Sequence, residues 1–236
     1  MQPIPVMDSS VSAVESSKTF ILKVYSWMAV GLFLTAIVSF GLVEVFGERG
    51  LLRIISENIF IFYGLLLFEL AFVWALSAAL NRIPSVLGLL AFFFYAGLNG
   101  LTMSIIFLVY TSASIGSTFL TCAIMFAGTS ILGFITKIDL SRFGGILMMA
   151  LIGIIVASVI NIFLNSSTLG WLISFIGVIL FVALTAYDTQ KIKRWSESVE
   201  EGSEDGRKAS IMGALMLYLD FINLFLFLLR ILGNRK

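Results

Sequence analysis

The chain lacks histidine altogether and has one cysteine and three prolines among its 236 residues. The lack of histidine excludes the usual histidine-ligated zinc and haem sites and any catalysis that depends on histidine. The single Cys122 cannot form an internal disulfide and is interpreted as a small packed hydrophobic residue. No P-loop or glycine-rich dinucleotide-binding pattern is present, so we expect no nucleotide cofactor and no nucleic-acid partner.

Charged residues are also scarce. They make up 12% of the chain, whereas hydrophobic residues make up 59%. A typical soluble domain has about 25% charged and roughly 45–50% apolar residues. The composition therefore predicts an integral membrane protein, whose first partner is the lipid bilayer.

Seven apolar segments are long enough to cross the roughly 30 Å hydrocarbon core as helices, which takes about 20 residues each. They are continuously apolar and do not alternate, which disfavours a membrane β-barrel. Polar turns, "YTSASIGS" at 110–117 and "NSSTLG" at 165–170, divide the two longest uncharged runs. The predicted segments are about 20–43, 59–80, two within 83–136, two within 143–187, and 209–229. The sequence thus predicts an all-α membrane protein with one seven-helix domain at 20–236 and an N-terminal cytoplasmic tail at 1–19.

The distribution of basic residues predicts the orientation of these segments. With the N-terminus inside, ten of the 15 lysines and arginines lie in cytoplasmic segments, which favours a C-terminus outside. If the last segment were re-entrant, both termini would be inside, and the basic residues would also favour that arrangement. The loop at 191–208 is predicted to be a solvated connector with helical extensions of both neighbouring segments.

Three acidic residues interrupt the apolar segments. Glu69 lies in the second, Asp188 at the inner end of the sixth, and Asp220 near the middle of the seventh. An acid at a helix centre costs at least ~2.5 kcal/mol, so it usually faces the bundle interior or a water-filled cavity. Asn223 follows Asp220 by about one turn on the same helix face. Alternatively, each of the three acids could have a structural role, as a protonated carboxyl group that forms a hydrogen bond between helices.

The sixth and seventh segments run in opposite directions, so Asp188 and Asp220 can both be approached from the cytoplasmic side. Counting from the segment ends places Asp220 about 10 Å deeper than Asp188 at 1.5 Å per residue. The distance shortens if the turn near 208–213 lies in the headgroup layer. Two close carboxylates cannot both ionise cheaply, whereas a nearby cation favours the charged form. With Arg82 at the same inner level, the three residues would form a proton switch.

Several motifs resemble those of the Bax inhibitor-1 family. The most specific are "GVILFVALTAYDTQKIKR" at 177–194 and "GALMLYLDFINLFLFLLRILGNR" at 213–235. Others are "VYSWMAVGLFLTA" at 24–36, "SASIGSTF" at 112–119, "TKIDLSRFG" at 136–144 and "MALIGIIVASVIN" at 149–161. Together they extend over nearly the whole chain, which resembles a bacterial inner-membrane member of the family.

This resemblance implies seven helices with the last one central and surrounded by the other six. It also implies a pH-sensitive calcium leak in which an aspartate pair on the last two helices is the sensor and an arginine of the second helix latches one of them. The matching residues are Asp188, Asp220 and Arg82. Glu69 and Asn223 are further candidates for the ion path. Because Ca²⁺ prefers oxygen ligands and two carboxylates are few, we expect weak, transient calcium binding by Asp188 and Asp220.

Two other functions remain open from the sequence. The chain could be a non-transporting regulator that binds another membrane protein, such as a quality-control protease. An intramembrane aspartyl protease would also use two aspartates on neighbouring helices. The sequence argues against the protease because Asp220 stands in "LYLDF" without a flanking glycine, and the prolines lie only at 3, 5 and 84. We therefore expect a non-enzymatic protein.

Overall fold

A computed structural model describes residues 9–200 and 202–236 of the chain. The described residues form helices joined by short connections, and no β-strand is found among them. The helices are α1 Ser9–Glu57, α2 Ile59–Ala79, α3 Ser85–Met103, α4 Ile106–Val109, α5 Ser112–Ile135, a 3-10 turn Leu140–Phe143, α6 Gly144–Leu164, α7 Ser167–Ser198 and α8 Glu204–Leu232. Seven helices in the described part are long and apolar enough to cross a membrane, which confirms the predicted fold class.

The helix ends follow from local polar contacts. In the first predicted turn only Tyr110 and Thr111 lie outside a helix, because the Thr111 side chain accepts the Ser114 backbone N–H and so caps α5. Its small polar residues therefore form the first turn and a half of α5, and the turn predicted at 110–117 is too long. Similarly, Asn165 adopts left-handed φ at +48° and the Ser166 side chain caps α7. The second turn is thus shorter than 165–170.

Three helices, α1, α7 and α8, extend beyond the predicted membrane-spanning segments. α7 continues to Ser198 and α8 begins at Glu204, which confirms the helical extensions expected around the loop at 191–208. Gly202 in the connection has φ of +82°, a conformation that glycine adopts without steric cost. At the other end of the chain, α1 begins within the predicted tail at 1–19, of which residues 1–8 lie outside the described part.

α8 is the most buried of the membrane helices. It packs against four others, α1, α3, α5 and α7, while α2 lies mainly against α3 and α6 mainly against α7. The full ring of six helices around the last one, which the family resemblance implies, is not confirmed by these contacts. The packing nevertheless places the aspartate of α8 in the interior of the protein.

Close helix contacts at glycines determine how α7 lies against its neighbours. A Cβ on Gly177 of α7 would come within 2.7 Å of the Phe227 ring of α8. Gly213 of α8 lies beside Ile192 of α7, where a Cβ would be 3.2 Å away. These two contacts fix the antiparallel register of α7 and α8. On the other side, a Cβ on Gly133 of α5 would lie 2.5 Å from the carbonyl oxygen of Ala186.

The two ends of the bundle are held by different polar contacts. At one end Glu204, at the start of α8, accepts hydrogen bonds from the backbone N–H and hydroxyl of Ser85 at 2.6 and 2.8 Å. At the other end the backbone N–H of Thr111 donates to the Asn234 carbonyl at 3.1 Å. The Lys236 ammonium there also pairs with Glu48. The chain therefore ends at the opposite side of the bundle from the α7–α8 connection.

Candidate functional site

The two predicted aspartates meet between α7 and α8. The antiparallel register fixed by Gly177 and Gly213 brings Asp188 and Asp220 together at the α7–α8 interface. Counting residues from the ends of the predicted segments placed Asp220 deeper in the membrane than Asp188, but this difference in depth does not keep the two residues apart. The structure thus brings together the pair that the sequence predicts.

The surroundings of the two carboxyl groups differ. Asp220 is 4% exposed, whereas Asp188 is partly buried. Among the described residues, Oδ2 of Asp220 accepts no hydrogen bond from a protein donor. The Asp188 carboxyl is the neighbouring acidic group. A hydrogen bond between two carboxyl groups needs a proton on one of them, so such a bond across the α7–α8 interface would require a proton in the pair.

Lys191 is the basic residue nearest to this pair along α7. It lies three residues after Asp188, so both residues are on the same face of α7 and the lysine charge is within coulombic range of Asp188. No salt bridge joins the two side chains among the described residues. The Lys191 ammonium also lies 5.1 Å from the Trp195 ring centre and 4.0 Å from the Met216 sulfur. The spacing of Asp188 and Lys191 can be seen in the sequence, but the sequence predictions above include no role for Lys191.

Other titratable groups near the pair make bonds elsewhere. On α1, the Tyr25 hydroxyl shares a hydrogen bond of 3.3 Å with Thr189. On α5, the Cys122 thiol donates to the Phe221 carbonyl at 3.7 Å. Within the described part of the chain, neither group hydrogen-bonds to Asp188 or Asp220. The hydrogen bonds of Tyr25 and Cys122 are therefore separate from the aspartate pair.

The residues after Asp188 attach the inner end of α7 to its neighbours. The Gln190 amide accepts the Leu140 backbone N–H and donates to the Ile138 carbonyl, both at 2.8 Å. Lys193 donates to the Phe134 carbonyl at 3.0 Å. Sequence reasoning missed these roles, because each joins segments about 50 residues apart. The contacts hold α7 against the α5–α6 connection and so fix the position of Asp188.

Arg194 completes this attachment outside the membrane-spanning segments. Its guanidinium lies 3.0 Å from Asp139 Oδ1 and 2.5 Å from Ser141 Oγ. The Ser141 hydroxyl and backbone N–H, together with Arg194, hold the pKa of Asp139 below its usual range. The Asp139 carboxylate is thus charged at neutral pH.

Arg82, the predicted latch, lies in the short connection between α2 and α3. Its side chain is exposed and forms no salt bridge with any described residue. The connection is held over the start of α8, where Lys208 donates to the Asn81 carbonyl at 3.3 Å. The structure therefore puts Arg82 at the expected end of the bundle but does not bring it into a pair with Asp188.

Glu69 and Asn223, the other predicted ion-path residues, make separate contacts. Glu69 is buried against α3, where the Thr102 hydroxyl donates to its two carboxylate oxygens at 3.2 and 3.3 Å. Asn223 is partly buried and donates to the Leu219 carbonyl of its own helix at 2.8 Å. The structure does not bring Glu69 to the aspartate pair.

The described residues contain no group of three or more cysteine, aspartate or glutamate side chains that could hold a metal ion. Two carboxylates alone provide few of the six to eight oxygen ligands that Ca²⁺ takes. The pair is therefore unsuited to a tightly bound metal.

Comparisons with known proteins identify the family of the chain. Residues 17–236 match the model of the family described as inhibitor of apoptosis-promoting Bax1. The chain is 46% identical over 237 residues to the inner membrane protein YbhL of Escherichia coli strain K12, with both chains covered completely. It is also 41% identical to an uncharacterised protein of Borreliella burgdorferi, with 92% of each chain covered. An uncharacterised membrane protein of Streptococcus pyogenes is 40% identical over 91% of this chain and 92% of its own.

Proposed function

The chain belongs to the Bax inhibitor family, and from that premise we propose that it is a pH-sensitive calcium leak channel, gated by the protonation of Asp188 and Asp220. It is a multi-pass inner-membrane protein. The observation that carries the proposal is the meeting of two carboxyl groups in the interior of the helix bundle. Calcium ions and protons are the species it would act on.

The aspartate pair offers a physical basis for gating. When the two carboxyl groups share a proton, a hydrogen bond can join α7 to α8 across their interface. Loss of that proton leaves two negative charges side by side, and gain of a second removes the charge that Lys191 faces. Each protonation state therefore favours a different separation of the two helices.

Lys191 takes part of the role that the resemblance assigns to Arg82. Lys191 lies on the same face of α7 as Asp188, so its positive charge can stabilise the Asp188 carboxylate without a latch from α2. Arg82 remains available to reach Asp188 in another state of the channel, because the α2–α3 connection lies at the same end of the bundle. In that state, protonation of Asp188 would release Arg82 and loosen the inner end of α2.

Calcium flux through purified protein in liposomes across a pH series tests the proposal directly. Asp220→Asn keeps the shape of the side chain and removes its charge, so flux should lose most of its dependence on pH between about pH 6 and 8. Asp205→Asn is the matched control, because Asp205 is exposed near the start of the same helix. It should keep the wild-type pH profile.

The same measurements separate the alternatives. If folded Asp220→Asn protein keeps the wild-type pH profile, Asp220 is a structural hydrogen-bonding group and the gating proposal is wrong. A non-transporting regulator would give no calcium flux in any variant. An aspartyl protease would cleave transmembrane peptide substrates in wild type and not in Asp188→Asn, whereas we expect no cleavage by either protein.

A further inference from the structure

A cavity of about 280 Å³ lies away from the aspartate pair, between α1, the α3–α4 region, α5 and α8. We call it the α1–α5 cavity. Its lining is almost entirely apolar and includes five phenylalanines contributed by α1, α4, α5 and α8, namely Phe40, Phe107, Phe119, Phe221 and Phe225. The polar lining residues are Thr35 and Ser39 of α1. The cavity takes no part in the gating proposed above.

Ser39 is an unusual polar residue in this structure. It is 3% exposed, and its hydroxyl has no hydrogen-bond partner among the described residues. Several other hydroxyl side chains within the helices donate to the carbonyl one turn earlier, as Ser77, Thr129 and Ser174 do at 2.7–2.8 Å. A buried hydroxyl without a partner is costly, so the Ser39 site calls for an acceptor from outside the chain.

Water is a poor occupant of this cavity. A buried water needs two to four polar partners, and the Thr35 hydroxyl is already engaged with Tyr218 at 2.7 Å and with the Ala96 carbonyl at 2.8 Å. An apolar cavity of about 150 Å³ in another protein stays dry and binds benzene, and this one is larger. Its occupant should therefore be mostly apolar, with one hydrogen-bond acceptor.

The cavity opens toward the bilayer. The lining residues Phe40 of α1 and Phe119 of α5 are 54% and 45% exposed, and the lining residue Ala36 is also exposed. These residues belong to helices that cross the membrane, so what lies outside the opening is lipid hydrocarbon. An acyl chain can enter sideways from the bilayer without leaving an apolar environment.

The position of Ser39 suits the ester region of a lipid. Ser39 precedes Glu44, the first charged residue at that end of α1, by five residues, or about 7.5 Å along the helix. The Lys236 ammonium lies at the rim, where it donates to the carbonyl of the lining residue Phe107 at 2.8 Å. Lys236 also pairs with Glu48, and an ammonium has three donors, so one remains for a phosphate.

We propose that the α1–α5 cavity binds one acyl chain of a glycerophospholipid from the leaflet at the C-terminal end, with Ser39 donating to its ester carbonyl and Lys236 facing its phosphate. The chain fills the space between α1 and α5, over the Phe225 side of α8. The bound lipid is thus a structural ligand of the bundle. Its headgroup is recognised only through the phosphate.

Photocrosslinking in liposomes tests this site. The full-length protein is reconstituted with phosphatidylglycerol that carries a diazirine on one acyl chain, and adducts are located by peptide mass spectrometry. The measured quantity is the ratio of adducts at Phe119 and Phe225 to adducts at Phe163, which is 83% exposed on α6. In wild type this ratio should be well above one, and Ala36→Phe, which fills the opening, should bring it close to one.

Ser39→Ala removes the hydroxyl and should lower the adduct ratio several-fold, whereas Ser39→Thr, which retains a hydroxyl, should restore it. Ser130→Ala is the matched control. Ser130 is also buried without a hydrogen-bond partner in the described part, but it does not line the cavity. An even distribution of adducts in wild type, or an unchanged ratio in folded Ser39→Ala, overturns the proposal even if Ala36→Phe does not fold.

Discussion

At the scale of single residues, the polar groups in the membrane form two clusters on different sides of α8. Asp220 faces Asp188 of α7, whereas Tyr218, two residues earlier, projects about 200° away around the helix. Tyr218 is fully buried and bonds to Thr35 of α1, and its ring packs edge-on against Tyr95 of α3. Glu69 belongs to this second side through its hydrogen bonds to Thr102.

The position of Glu69 predicts that Glu69→Gln affects calcium flux differently from Asp220→Asn. Glu69→Gln should change the size of the calcium flux more than its pH profile, because Glu69 bonds to Thr102 of α3 and not to the aspartate pair. Flux is measured in liposomes across the same pH series. If Glu69→Gln abolishes the pH dependence while Asp220→Asn does not, the sensor lies at Glu69 and the assignment to the pair is wrong.

Asp139 provides a pH prediction outside the membrane. Its pKa is lowered in the folded protein, so its carboxylate stabilises the fold above the unfolded pKa of about 3.9, and this contribution is lost as pH falls through the folded pKa. Asp139→Asn should therefore lower the apparent melting temperature at pH 6–8. The difference from wild type should vanish near pH 2, as followed by thermal unfolding in detergent.

The same variant is a control for gating. Asp139 stays ionised throughout pH 6–8, so Asp139→Asn should leave the pH profile of calcium flux unchanged over that range. A melting difference between wild type and Asp139→Asn that persists at the lowest pH would mean that shape, and not charge, holds Asp139 to Arg194.

The sequence predicted the aspartate pair because intramembrane acids are costly and therefore easy to recognise. It could also have identified Lys191, since a spacing of three residues places two side chains on one helix face. It could not identify the partners of Gln190 or Tyr25, because those contacts depend on how distant helices pack. The cavity beside Ser39 is hidden from the sequence for the same reason.

At the scale of helices, composition predicted the number of spans well and their ends less well. The segment predicted at 59–80 agrees with α2 at Ile59–Ala79, because charged or polar residues bound that apolar run. Around 110–117 small polar residues suggested a turn, yet their hydroxyl groups bond to the helix backbone, as Ser117 does to the Ser114 carbonyl at 3.1 Å. A serine or threonine can thus either end a membrane helix or continue it.

The α5–α7 contact gives a prediction for a single helix interface. Gly133→Ala should destabilise the protein by about 1–3 kcal/mol, because the new methyl group would lie 2.5 Å from the Ala186 carbonyl oxygen and push α5 away from α7. The measurement is thermal unfolding in detergent. Gly128→Ala on the same helix is the matched control, since a Cβ there meets nothing within 4 Å.

Gly128→Ala should leave stability unchanged or raise it slightly, because alanine has the higher helix propensity. The displaced α7 of Gly133→Ala should also alter the pH profile of calcium flux, since Asp188 lies two residues after Ala186. Equal melting temperatures for the two alanine variants would show that α5 and α7 do not approach as closely as the structure indicates.

At the scale of the whole molecule, the two ends of the helix bundle are held by different kinds of contacts. The end with the α7–α8 connection carries most of the basic side chains, and some of them bond to main-chain carbonyls, as Lys193 and Lys208 do. The other end carries the chain terminus, where residues 233–236 run beside Val109–Thr111 and Tyr110 bridges to Arg235. This asymmetry in charge is the signal on which the predicted orientation rests.

The last prediction concerns that orientation. The C-terminus should lie outside the cytoplasm, because α8 is long enough to cross the membrane and ten of the 15 basic residues fall in the segments assigned to the cytoplasmic side. Alkaline phosphatase fused after Lys236 should therefore be active, whereas the same enzyme inserted at Gly202, in the α7–α8 connection, should be inactive. Lys236 pairs with Glu48 near the end of the first span, so both residues should share one side. Activity only at Gly202 would mean that the whole bundle is inverted, and inactivity at both sites would favour a re-entrant last segment.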